Sequence, residues 1–134
     1  MNGASDWGKL VLRLSSGGIL LLHGIFKVFT DIQHVKNLVS ASGLPEFLAY
    51  GSIIGEFIAP ILVIIGWKSR LAAAVMAFNM LMTVLVAHRD IMFRLNDFGG
   101  WMIETNMLLF FSAVAIALLG AGRYSLSGGR GRWD

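Results

Sequence analysis

Apolar residues fall into four runs, at residues 10–28, 48–67, 71–87 and 101–119, and the segments between them gather most of the charged and turn-forming residues. As a helix rising 1.5 Å per residue, each run reaches about 25 to 30 Å, the thickness of a bilayer's hydrocarbon core. An open chain in lipid satisfies its backbone only as a helix. The pattern therefore predicts an all-α protein, an integral membrane four-helix bundle that forms one domain. Lys9 stands before the first run and Arg13 near its start, yet no small-residue cleavage pattern follows it, so it reads as a retained span and not a removed signal peptide.

The connections carry patterns of their own. In the first outer loop Ile32, Val35, Leu38 and Val39 recur at helical spacing, after a Thr30 and Gln33 pair that resembles a capping box. Gly43-Leu44-Pro45 stops the run, which predicts a short amphipathic helix on the membrane surface. Trp67-Lys68-Ser69-Arg70 is so short a turn that spans two and three are antiparallel neighbours. Residues 88–100 mix charges with Phe93, Leu95 and Phe98 and read as an interfacial loop. The tail, residues 124–134, is rich in Gly, Ser and Arg and reads as mobile and solvated.

Composition sharpens the membrane assignment. Of 134 residues, 56% are hydrophobic and 14% charged, and mean hydropathy is +0.70; soluble domains have roughly 45–50% and about 25%. The net charge of +3 is spread singly between apolar segments, which suits topology and not nucleic acid. Seven basic residues (Lys9, Arg13, Lys68, Arg70, Arg123, Arg130, Arg132) fall on the side of the termini, against four (Lys27, Lys36, Arg89, Arg94) on the other. Both termini are thus expected in the cytoplasm. With no cysteine the chain supplies no thiol chemistry, iron–sulfur ligation or thiolate metal site, so a redox role needs a bound cofactor. The methionines and His23 with His88 leave copper or a bis-histidine haem as lesser alternatives to an apolar organic ligand, and no metal site is assigned. No phosphate loop or nucleophile elbow is present.

Against this background Glu56 stands out as the only charged residue in residues 50–66. A carboxylate in mid-bilayer costs roughly 2.5–3.5 kcal/mol on insertion scales. Pro60, one turn later, removes the N–H that the Glu56 carbonyl needs, and Gly51, Gly55 and Ala59 form a small-residue stripe beside it. Arg13, Ser16, Gly17, Leu20, His23, Gly24 and Lys27 share one face of span one. Counting depth along each span places His23, Lys27, Glu56, His88 and Glu104 in the outer half of the bundle, with Asn79 and Thr83 on one face of span three and Asn106 deeper in span four. This predicts a polar pocket open to the outside. Glu56 and His23 are the catalytic candidates; Lys27, His88, Glu104 and Asn79 are the ligand-binding candidates. Each has a structural alternative: an ion pair of Glu56 with Lys27 or His23, snorkelling of Lys27 and His88, a helix-terminus role for Glu104, and interhelical hydrogen bonding for Asn79, Thr83 and Asn106.

Several of these pieces together, His23-Gly24 with Lys27, Gly43-Leu44-Pro45, Glu56, Gly66-Trp67 with Arg70, His88 and residues 120–125, make the chain similar to the DoxX-like small membrane proteins over nearly its full length. Ala121 stands where that family often has Pro, and Phe57-Ile58 where small residues are frequent. The resemblance implies a four-helix protein of the bacterial inner membrane, associated with thiosulfate:quinone oxidoreductase subunits and membrane redox-stress complexes. The expected function is then the membrane component of an oxidoreductase system, either catalytic or a non-catalytic subunit, that binds a quinone. Its expected partners are the lipid bilayer, a redox protein and further copies of itself. A small-metabolite or metal carrier, and a scaffold for a soluble enzyme, remain as alternatives.

Overall fold

A computed structural model describes residues 3–26, 29–30 and 32–134. Among these the architecture is all-helical, a membrane helical bundle, with only an isolated Leu95–Trp101 bridge in extended pairing. Helix α1 (Gly3–Phe26) runs away from the end that carries the termini, and α2 (Ile32–Ala41) lies beyond it. Span two, Glu46–Ile65, returns as a 3₁₀ turn, α3 (Ala49–Ile53), a π-helical turn (Ile54–Ile58) and α4 (Ala59–Ile65). Helix α5 (Ser69–Ala87) goes back out and α6 (Glu104–Leu119) comes home. Three of the described helical segments, α1, Glu46–Ile65 and α5, are long and apolar enough to cross a bilayer; α6 is apolar but shorter, at 16 residues.

Local chemistry explains the boundaries. Helix α2 ends in a complete Schellman motif: Gly43 adopts φ +80°, its N–H donates to Ser40 and that of Leu44 to Val39, after which Pro45 forbids another turn. Val35 and Val39 bury the apolar face of α2 against Ala49. Span two stops at Gly66 in the left-handed region, where its N–H and that of Trp67 both donate to the Leu62 carbonyl. The core lies along α5, where Ala72, Ala73, Met76, Ala77 and Met80 meet Leu109, Ala113 and Ile116 of α6, Leu20 of α1 and Ala59 and Val63 of α4. Small residues allow the close approach that packing in lipid depends on. Outward, Leu22, Phe78, Leu108 and Leu118 are at least 65% exposed, an apolar jacket suited to a bilayer.

The termini end is closed by polar side chains that finish on backbone. Arg13, 1% exposed, donates through Nε to the Val63 carbonyl (2.9 Å), through one terminal nitrogen to Ile64 (2.8 Å), and through the other to Ala121 (2.8 Å) and Tyr124 (2.9 Å). It thereby caps α4 and holds the segment after α6. Composition alone suggests a solvated tail; here the tail lies across this end. Asp134 is buried and accepts from the Lys68 and Gly131 N–H groups (2.6 and 2.8 Å), the Trp133 carbonyl accepts from Arg70, and Leu126 donates to Ile65. The reason is that the turn at residues 66–68 and the ends of α4 and α6 expose backbone groups that a Gly-rich strand can reach.

Candidate functional site

Pro60 shapes the backbone around Glu56. Lacking an N–H, it cannot bond the Glu56 carbonyl in α-helical register, and the preceding segment widens into a π turn that closes with the Ala59 N–H on the Ile54 carbonyl. The Glu56 carbonyl faces α1. A Cβ on Gly24 would overlap that oxygen, so Gly24 is glycine because α1 passes directly over the Glu56 carbonyl there. About two turns back along α1, Gly17 leaves room for the Pro60 carbonyl and Ile64. On the other flank, a Cβ on Gly55 would run into the Asn79 side chain. Of the small-residue stripe, Gly55 and Ala59 are therefore packing contacts, whereas Gly51 is exposed and faces open space.

The Glu56 side chain, 2% exposed, turns into the bundle, where its Oε1 accepts from Asn79 Nδ2 at 3.0 Å. Asn79 in turn offers its carbonyl to Thr83 Oγ1 at 2.9 Å. Beyond Glu56 opens a chamber of about 170 Å³. Helix α1 contributes Leu20 and His23, the π turn Glu56, α5 Met80 and Thr83, the end of α5 His88, and α6 Asn106 and Leu109. Among the described residues no group of three or more His, Asp or Glu lies close enough to hold a metal ion.

The structure thus brings together His23, Glu56 and His88, three residues from three different helical segments, and adds Asn79 as the partner that orients Glu56. Glu104 is exposed, with its carboxylate beside Gly100 of the connecting loop, and it does not line the chamber. Lys27 lies outside the described residues. Thr83 and Asn106, which the sequence suggests as interhelical glue, line the chamber. His34 lines a second, larger cavity under α2 that also touches Asn79, Thr83 and His88; nothing in its local sequence sets it apart from a surface-helix residue.

This geometry can be set beside known proteins. The DoxX family model matches residues 8–89, more than half of the chain. The protein belongs to the DoxX family. That match takes in Arg13, His23, Glu56, Asn79 and His88, while Asn106 lies beyond it. The chain is also 27% identical over 121 residues, 90% of its own length and 85% of the other's, to a Bacillus subtilis (strain 168) protein named "Putative oxidoreductase CatD". No solved structure matches it.

Proposed function

We propose that the protein is the membrane component of an oxidoreductase system and that its chamber takes the head of a quinone or a similar apolar molecule. The observation that carries this reading is the convergence of His23, Glu56 and His88 on a space that Leu20, Met80 and Leu109 wall together with Thr83 and Asn106. Reducing a quinone places two electrons and two protons on its ring and oxygens. Carboxyl and imidazole groups beside an apolar cleft are what proton delivery to those oxygens requires. Asn79 positions the Glu56 carboxyl, and Thr83 and Asn106 add hydrogen-bonding groups for a carbonyl or hydroxyl. A chain without cysteine has no thiol to carry electrons, so a redox partner protein delivers them. The oxidoreductase name of the Bacillus relative points the same way.

In this reading the protein sits in a bacterial cytoplasmic membrane with both termini in the cytoplasm, as the seven-to-four distribution of basic residues favours, and the chamber opens towards the outside. Glu56→Gln tests the assignment, because it keeps shape and the Asn79 contact but removes the carboxyl's proton and its charge-assisted hydrogen bond to the ligand. Quinone affinity should fall by about tenfold, the worth of one hydrogen bond to a charged group. Quinone-dependent electron transfer from the partner should fall by about 10²-fold. Unchanged binding and turnover in that variant would sink the reading.

A further inference from the structure

The chamber shares lining residues with a second, larger space. Under α2 and between α3 and α5 lies a groove of about 490 Å³ whose walls are mostly apolar, with Leu38 and Val39 above, Val75 and Phe78 along α5, and His34 and Ser52 as polar lining residues besides those shared with the site. Thr83 and His88 line both spaces, and Asn79, which holds Glu56, lies in the groove wall. The groove therefore borders the polar chamber and reaches the outer surface of the bundle, where Phe78 is 65% exposed and Gly51 carries no side chain to fill the opening. Helix α2 roofs it, pinned by Val35 and Val39 on Ala49.

Size and polarity together select an occupant. Sites for organic ligands usually measure about 300–1,000 Å³. The chamber, at 170 Å³, is large enough only for a compact head, whereas the groove lies within that range. A mostly apolar groove that shares Thr83 and His88 with a small polar chamber matches an amphiphile with a small polar head and a linear hydrocarbon chain. It does not match a compact polar metabolite, which would leave the groove unfilled.

We propose that the groove holds the linear isoprenoid or alkyl tail of the quinone whose head lies against Glu56, and that the molecule enters sideways from the bilayer between α3 and α5. The inference rests on the quinone reading above and adds the class of substrate, a lipid-soluble tailed quinone, and its route. Entry from lipid keeps the tail in apolar surroundings throughout, so no water-exposed intermediate is needed. Gly51 is the residue that leaves the doorway open.

The test uses the full-length protein in lipid nanodiscs and two probes, a tail-less quinone and the same head on a decyl chain carrying a photoreactive diazirine at mid-chain. Saturable labelling of Val75, Phe78 or Met82 is expected. Gly51→Phe should abolish it while binding of the tail-less quinone persists, which also shows that the variant is folded; Gly51→Leu is a smaller plug for the same purpose. Glu56→Gln should weaken both probes. Tail-less binding accompanied by label scattered over the lipid face, or groove labelling that Gly51→Phe leaves intact, would overturn the groove inference and leave the quinone reading standing. If neither probe binds saturably, both fall.

Discussion

The two ends of the bundle use polar side chains in opposite ways. At the termini end Arg13, Asp134 and Arg70 all finish on backbone: four carbonyls around Arg13, two N–H groups on Asp134, and the Ala117 and Leu118 carbonyls on Arg70 at 3.2 and 2.9 Å. At the other end His23, Glu56, His88 and Asn106 line a space. A buried guanidinium and a buried carboxyl are comparably expensive, so burial alone does not mark a site. What separates the two is the destination of the polar atoms. Arg13 completes the orphan carbonyls at the C-terminus of α4, where the helix dipole also favours a cation. The opposite cluster converges on a cavity that a molecule can enter.

The comparison is most easily broken at Arg13. Replacing it with Met keeps the apolar stem but removes every donor from carbonyls of Val63, Ile64, Ala121 and Tyr124. Breaking such a buried charged network typically costs about 3–5 kcal/mol. Denaturant unfolding in detergent should show a loss of that order for Arg13→Met, together with release of the tail to protease. Glu56→Gln, which keeps the Asn79 contact, should cost less than about 1 kcal/mol in the same assay. An Arg13→Met protein as stable as the parent would mean that the two ends do not differ in kind.

A smaller effect sharpens the contrast between the two glycines that flank the site. Gly24 faces the Glu56 carbonyl with no room for a Cβ, and Gly51 faces open space. Forcing a methyl group into a packed helix contact costs typically about 1–3 kcal/mol, so Gly24→Ala should lower stability by that amount and move α1 away from the π turn. Gly51→Ala should be neutral or mildly stabilising, since alanine is the better helix former by roughly 1 kcal/mol. Thermal unfolding of the two single variants checks both signs. Equal effects would mean that α1 does not rest on the Glu56 carbonyl.

These residues also show what a sequence reader can and cannot see. The spans, the surface helix and its stop at Gly43-Leu44-Pro45 follow from local periodicity and turn chemistry. His23, Glu56 and His88 can be grouped because charges are costly in lipid and depth follows from counting along a helix. Counting gives height but not azimuth. In α6 the buried positions Leu109, Ala113 and Ile116 step back by three to Asn106 and not to Glu104, which is exposed. Arg13 reads as one more basic residue on the cytoplasmic side because its acceptors lie 50 to 111 positions away, where no local pattern reports them. The packing of the tail is hidden for the same reason: its composition describes a solvated chain, while the groups that bind it belong to the ends of α4, α5 and α6.

The smallest expected effect concerns the roof of the groove. Lys36 of α2 holds its Nζ 4.8 Å from the centre of the Tyr50 ring, and hydrogen bonding to Tyr50, aided by the charges of Tyr50 and Glu46, raises its pKa above the ordinary 10.5. A raised pKa in the folded state means that the contact favours docking of α2 at all pH values below the ordinary lysine range and loses that contribution as pH climbs through the higher folded value. The side chain is fully exposed, so the contribution is small and screened by salt. Because the chain has no native cysteine, a single nitroxide on Ser40→Cys reports the mobility of α2. At pH 9 and low salt Lys36→Met should raise that mobility slightly relative to the parent, and the difference should shrink as pH climbs beyond the ordinary lysine range and Lys36 loses its charge. A difference that persists at the alkaline end would assign the contact to packing of the lysine stem on Tyr50 and not to its charge.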